Sequence, residues 1–448
     1  MKTNMAVSKK NKISKKFVVK KEAVKKSVKK STKKTTKQVA KKVHKKTTNK
    51  PKKILNKKVL KKLPKKAVKK LSKKNKTKTN PKKKIKKTVK KLKIQKNLFL
   101  VKKFIGNPIM EPNQHSAWES EAVFNPAAVL HDGNVHLFYR ALGPDGMSRI
   151  GYASSPDGIN FYERLPYPVY MAESIQEATK HRPYTSPARL CYDTGLHASG
   201  GGWGGCEDPR AVKIGDQIYM TFNIFNGWNS IRVAAVSISG KDLSNKNWNW
   251  SNLYYLSRPG DRQKNWVLFP EKINGKFAVF HNLDKGDPGR VHIAYLNNLD
   301  MNEAPSSEEA IDPQRLPDHN VAWHYRTRSA AAPAIKTKEG WLLFYHAMDK
   351  NDSDKYKVGA MLLDLKDPTK VLYRASQPVL EPDEWYENDW KPGIVYLSGA
   401  VVKNGTLFLY YGGGDKRIAV AHTELQDFIN KLKTNKPTVF SRKKINIK

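Results

Sequence analysis

Between Asn125 and Ala421 the chain passes five times through one pattern: a run opening near a proline, a turn with glycine, an apolar run ending in aromatics, then a further run. The apolar runs are Val135–Tyr139, Ile218–Phe222, Phe277–His281, Trp341–Tyr345 and Leu407–Tyr411, and the runs that follow start at Arg149, Ile231, Val291, Tyr356 and Ile418. Each unit supplies hairpin-linked strands that cannot bury both faces alone, so the units must pack on one another. Their spacing of roughly 60 to 85 residues suits propeller blades with long loops, such as 165–204 and 298–327. The expected fold is all-β, a five-bladed β-propeller over residues 99–448, with one short terminal helix over Glu424–Leu432.

Charge divides the chain. Of its 448 residues, the first hundred carry 43 Lys, no Arg and a single acid, Glu22, with Phe17 and Phe99 the only aromatics. So little apolar surface cannot offset the entropy of ordering a chain of like charges, and residues 1–98 are expected to be a disordered Lys-rich tail. Such a tail suits sequence-blind, salt-sensitive attachment to nucleic acid or another polyanion, and lysine without arginine or aromatics argues against base readout. A solvated spacer is the plainer alternative. The rest is nearly balanced, 42 basic against 38 acidic residues, which excludes a broadly cationic nucleic-acid-binding body. No apolar run is long enough to span a membrane, no signal-type apolar core follows the basic start, and two cysteines, Cys191 and Cys206, fit a cytoplasmic setting. Neither His-Glu-x-x-His nor paired-cysteine spacing occurs, so no metal site is expected, and the Gly412–Gly414 run lacks the Lys-Ser/Thr of a P-loop.

In a propeller the first strand of each blade lines the central channel. The residues preceding the repeat's proline position are Asn125, Asp208, Phe269, Ala332 and Ser398, which places one ionisable group, Asp208, at the channel mouth, next to Glu207 and near Arg210. A carboxylic acid against apolar walls has its charged form disfavoured, as a general acid requires. A structural turn with a salt bridge is the competing reading. Arg232, Lys264 and His281 stand at strand starts and ends of adjacent repeats, where three cations would converge on an anion such as phosphate. Tyr139, Tyr345, Tyr410, Tyr411 and Trp203 offer flat faces for sugar rings, Asp349 and Asp415 acceptors for sugar hydroxyls, and Gly200–Gly205 a flexible lead-in to Glu207.

Seven ordered motifs carry a family resemblance: Phe124-Asn-Pro-Ala-Ala, Ser154-Ser-Pro-Asp-Gly, Glu207-Asp-Pro-Arg, Leu268-Phe-Pro-Glu-Lys, Gly340-Trp-Leu-Leu-Phe-Tyr-His, Gly359-Ala-Met-Leu-Leu-Asp-Leu-Lys-Asp-Pro and Tyr410-Tyr-Gly-Gly-Gly-Asp. From about Asn107 to His422 the chain resembles glycoside hydrolase family 130, the β-mannoside phosphorylases and related β-mannosidases. The resemblance implies a five-bladed propeller with Asp208 as catalytic acid, its proton passing through a sugar hydroxyl to the glycosidic oxygen. It implies inorganic phosphate as nucleophilic co-substrate, no other cofactor, and inversion to α-mannose 1-phosphate. By the same resemblance Arg232, Lys264 and His281 contact phosphate, and Asn125, Arg140 and Asp415 contact sugar, with Glu207 also assigned to the sugar site. The chain departs from the family at Lys264-Asn265, His281-Asn282 and Ala331-Ala-Pro333, beside the anion site. If water replaced phosphate, a second carboxylate would have to act as base, with Glu271 or Glu384 as candidates. A non-catalytic sugar-binding propeller tethered by its tail is the alternative outside enzymology.

Overall fold

The computed structural model describes residues 101–172, 199–227, 231–260, 263–281, 291–299, 307–311, 323, 326–349, 351–352 and 354–434. The tail expected over 1–98, Cys191 and Asn282 lie outside the described residues. Strand β1 (Lys102–Lys103) opens the body. The first antiparallel meander is β2 (Ala122–His131), β3 (Asn134–Leu142), β4 (Met147–Ser155) and β5 (Glu163–Arg164). The second is β6 (Gly204–Ile214), β7 (Gln217–Phe225), β8 (Arg232–Ser239) and β9 (Tyr254–Tyr255), with the six-residue helix α1 (Gly240–Asn245) after β8.

The third contains β10 (Val267–Leu268), β11 (Phe277–His281), β12 (Val291–Leu296) and β13 (Ser307–Ile311). In the fourth, β14 (Arg326–Ala330) and β15 (Ile335–Lys336) both pair with β16 (Trp341–Met348), followed by β17 (Tyr356–Leu363) and β18 (Val371–Arg374). The last is β19 (Val395–Lys403), β20 (Thr406–Gly413) and β21 (Arg417–Glu424), and β1 completes it by pairing Lys102 with His422 and Lys103 with Ala421. Helix α2 (Leu425–Lys433) closes the described body, burying Phe428, Ile429 and Leu432. The first two meanders are joined into one sheet by a short parallel pairing of Met147–Ser148 with Gly204–Gly205.

Among the described residues the regular structure is therefore mostly β-sheet, and the apolar repeats form its interior. Side chains from neighbouring meanders share clusters: Phe138 and Tyr152 of the first with Met220, Phe222 and Val236 of the second, and Phe269 and Phe280 of the third with Trp341 and Leu343 of the fourth. The aromatic ends of the second strands pack over glycines of the third. Tyr139 lies opposite Gly151 and Tyr345 opposite Gly359, and a Cβ at either glycine would fall within 2.4 Å of the ring. Tyr139 and Tyr345 are accordingly fully buried, and so are Tyr410 and Tyr411, which lie opposite Val420 and Ala419; this corrects the reading of all four as sugar platforms.

Candidate active site

The two acidic-amide and proline pairs of the repeats, Asn125-Pro126 and Asp208-Pro209, form β-bulges within strands β2 and β6. The sequence reads as runs opening near a proline; the proline stands instead inside the strand, at the bulge, where a missing N–H breaks no ladder bond. Asn125 (φ 48°) and Asp208 (φ 51°) take the left-handed conformation that short polar side chains tolerate. The bulges turn both side chains toward each other. Asn125 Nδ2 donates to Asp208 Oδ1 at 2.8 Å, and Gly412 lies so close that a Cβ there would sit 2.2 Å from Asn125 Oδ1. At the bulge of the last meander, between Leu397 and Gly399, Ser398 Oγ donates to the Pro126 carbonyl at 3.0 Å. Arg210, buried, secures Asp208 from behind, donating to the carbonyls of Asp208 and Pro209 and, at 2.5 Å, to that of Ala331 in the fourth meander.

Arg140 organises the charges. From strand β3 its guanidinium donates to Asp208 Oδ1 (3.2 Å), Glu207 Oε1 (3.1 Å), Ser148 Oγ (2.9 Å) and the Ser199 carbonyl (2.8 Å), and stacks 4.7 Å from the Phe124 ring centroid. Gly200 and Gly202 crowd against it, each with a would-be Cβ 3.0 Å from a guanidinium nitrogen, so the glycine-rich lead-in packs on Arg140. Lys264 Nζ donates to Ser199 Oγ (2.7 Å) and Glu207 Oε2 (3.1 Å).

Glu207 has no exposed surface and is filled by Arg140, Lys264 and Ser199 Oγ (2.8 Å). This corrects its reading as a sugar contact: it holds two cations in place. The expected apolar setting of Asp208 is corrected as well. Burial alone would push its pKa up, but Arg140, Lys264, the Asn125 amide and Arg210 more than reverse this and bring it down to about 2. In the resting protein Asp208 is an ionised carboxylate.

The structure gathers Asn125, Arg140, Glu207, Asp208 and Lys264, and Asp415 joins them through its charge acting on Arg140. Asp415 (φ 53°) accepts from Lys391 Nζ at 2.9 Å. The three proposed cations do not form one cluster. Arg232 donates to the Ser257 carbonyl at 2.8 and 3.1 Å and lies 3.7 Å over the Tyr255 ring, because its register with Ile224 and Cys206 puts it on the opposite face of the second meander from Glu207.

His281 is buried against Trp266 (centroids 4.9 Å) and His292, and burial with the neighbouring imidazole lowers its pKa to about 3, so it is neutral and no cation. Asp349 accepts from Lys357 Nζ (3.3 Å) on a separate cavity of about 240 Å³ whose lining includes none of the Asp208 cluster. Of the alternative bases, Glu271 is paired with Lys336 and Glu384 caps a 3-10 turn. Sequence reasoning missed Ser148, Ser199 and Lys391, which lie in loops or at strand ends and carry no repeat signal. Among the described residues no cluster suits a metal ion, and no helix is long and apolar enough to cross a membrane.

Comparison with known proteins bears on this constellation. The glycoside hydrolase 130 family model, described as beta-1,4-mannooligosaccharide phosphorylase, matches residues 197–434. The 1,2-beta-oligomannan phosphorylase of Thermoanaerobacter sp. (strain X514) is 35% identical over 73% of this chain and 98% of its own length. The beta-1,2-mannobiose phosphorylase of the same organism is 36% identical over the same shares. The structure of beta-1,2-mannobiose phosphorylase from Listeria innocua shares the fold, with a TM-score of 0.56 at 23% identity over 75% of this chain and 99% of that one. With the Glu207-Asp-Pro-Arg210 bulge inside the matched span and the relatives covered almost end to end, the chain is an enzyme belonging to glycoside hydrolase family 130.

Proposed function

We propose that the protein is an inverting β-mannoside phosphorylase acting on β-1,2-linked mannosides, its five meanders being the blades of a propeller with Asp208 at the channel mouth. The linkage follows the two Thermoanaerobacter relatives, which cover the body almost completely. The observation that carries the reaction is the buried Asp208 carboxylate bonded to Asn125 and Arg140, with Lys264 beside it and the two other carboxylates of the cluster, Glu207 and Asp415, each engaged by a lysine. Hydrolytic inversion needs a second carboxylate free to act as base; phosphorolysis does not. Phosphate entering beside Lys264 brings negative charge that opposes the pull of Arg140 and Lys264 on Asp208. It thereby favours the protonated carboxyl that donation requires.

In the reaction, Asp208 gives its proton, by way of a sugar hydroxyl, to the glycosidic oxygen as the C1–O bond breaks. A phosphate oxygen bonds C1 from the opposite face, and the phosphate proton restores Asp208, so HPO4²⁻ and the mannoside become α-mannose 1-phosphate and the freed sugar. Asn125, Arg140 and Asp415 hold the mannosyl unit; Lys264 supplies the phosphate's cation, with neutral His281 limited to hydrogen bonding. A charged sugar phosphate does not leak through a bilayer, which suits a cytoplasmic enzyme. The tail adds salt-sensitive polyanion attachment.

The test is β-1,2-mannobiose incubated with the full chain, with and without phosphate, followed by NMR of the anomeric products. Phosphate-dependent α-mannose 1-phosphate is expected, and Asp208→Asn should lower kcat by about a thousandfold or more. Release of mannose in phosphate-free buffer at an undiminished rate would make the protein a mannosidase instead.

A further inference from the structure

Between β18 and β19 runs a strap, residues 381–394, which forms no strand of its own and touches β17 only at its end, and which carries Lys391, the partner of Asp415. Arg417 holds it at Asp389 and the Tyr356 N–H at the Gly393 carbonyl, and a further anchor comes from the start of the body. Lys103, in β1, reaches across and spends all three donors of its ammonium on it: the Glu381 carbonyl (2.8 Å), the Asp383 carboxylate, and Glu387 Oε2 (2.7 Å).

Glu387 has no exposed surface, and it also accepts from Tyr411 Oη (2.9 Å) and the Glu384 N–H (2.9 Å). From Glu387 the connection continues to the site. The Ile394 N–H donates to the Glu387 carbonyl, the Gly414 N–H to the Ile394 carbonyl (3.1 Å), and the Lys391 N–H to the Gly414 carbonyl (3.0 Å). The Tyr386 carbonyl lies so close to Gly413 that a Cβ there would stand 2.9 Å from it. The strap and the β20–β21 turn bearing Asp415 are thus one hydrogen-bonded body, and Lys103 is its clamp.

We propose that Lys103 and Glu387 are positioning residues that hold Lys391, and through it Asp415, in register for the mannosyl unit. This rests on the reading of Asp415 as a sugar contact. A carboxylate freed from its lysine would swing off the sugar while leaving the phosphate side, centred on Lys264 and Glu207, intact. The two co-substrates should therefore respond differently.

The experiment measures steady-state phosphorolysis of β-1,2-mannobiose by the full chain and by Lys103→Met, Lys103→Arg, Lys391→Met and Asp415→Asn. Lys103→Met is expected to raise KM for mannobiose about tenfold, the worth of one charge-assisted hydrogen bond, with KM for phosphate within about twofold. Lys391→Met should match it, the double variant should be no worse than either single, and Lys103→Arg should restore most of the affinity. If Lys103→Met does not fold, Glu387→Gln, which removes the charge facing Lys103 while its amide oxygen can accept from the Glu384 N–H and its NH2 donate to Tyr411 Oη, takes its place. Equal losses for both co-substrates, tracking a fall in thermal stability, would reduce the clamp to a structural role and overturn the proposal. If Asp415→Asn itself leaves mannobiose affinity unchanged, the sugar reading of Asp415 fails. If Asp415→Asn weakens binding and Lys103→Met does not, the positioning role alone fails.

Discussion

Asp208 shows how a buried acid is governed by its neighbours. Desolvation and the cations oppose each other, and two guanidinium or ammonium groups in contact with the same cluster outweigh it. His281 and His346 are the converse, imidazoles whose burial lowers both pKa values to about 3. For each, the unfolded chain near pH 6.5 takes up protons that the folded protein refuses. Stability is whole above that pH and is lost as pH falls toward 3. Asp208 adds its own loss at the lower end, from about pH 4 toward 2, since its folded pKa is the depressed one. Urea midpoints should therefore hold steady from pH 8 to 7 and decline below 6.5, with a shallower decline in His281→Asn. A midpoint unchanged between pH 6.5 and 4.5 would mean that these imidazoles are charged in the folded state.

At the level of the strand, the bulge is the device that turns a repeat into a site. Asn125 and Asp208 leave their ladders at the same place in successive meanders, and Gly412 leaves room for the first of them. Gly412→Ala should displace Asn125, cost about 1–3 kcal/mol and lower kcat/KM at least tenfold. Wild-type kinetics in that variant would mean that Asn125 has slack. The second and third strands of each meander were legible because they are long apolar runs buried on both sides, such as Phe277–His281 and Trp341–Met348. The outer strands β5, β9 and β18 were not: two to four residues paired on one side leave no periodicity to read. Asp208 was legible from its place before proline, whereas its ionisation was not, because Arg140 and Lys264 reach it from strands and loops distant in sequence. Arg232 shows the limit of position alone: one register step sets which face a side chain takes.

For the molecule as a whole, the charge partition predicts that polyanion attachment and phosphorolysis can be separated. Removing residues 1–98 should leave phosphorolysis within about twofold while abolishing retention on heparin, and retention of the full chain should fall steeply with salt. A truncated body that still bound heparin in 0.15 M salt would return polyanion attachment to the globular part.

The sheet that carries Asp415 takes its fourth member from Lys102–Lys103, paired with residues more than three hundred positions later. A ribosome delivers that member first and its partner last. Throughout synthesis, then, the earliest piece of the body must stay uncommitted, and a nascent chain halted before Arg417 has nowhere to dock it. Shortening the front of the chain past Lys102 should therefore unmake the far edge of the newest sheet.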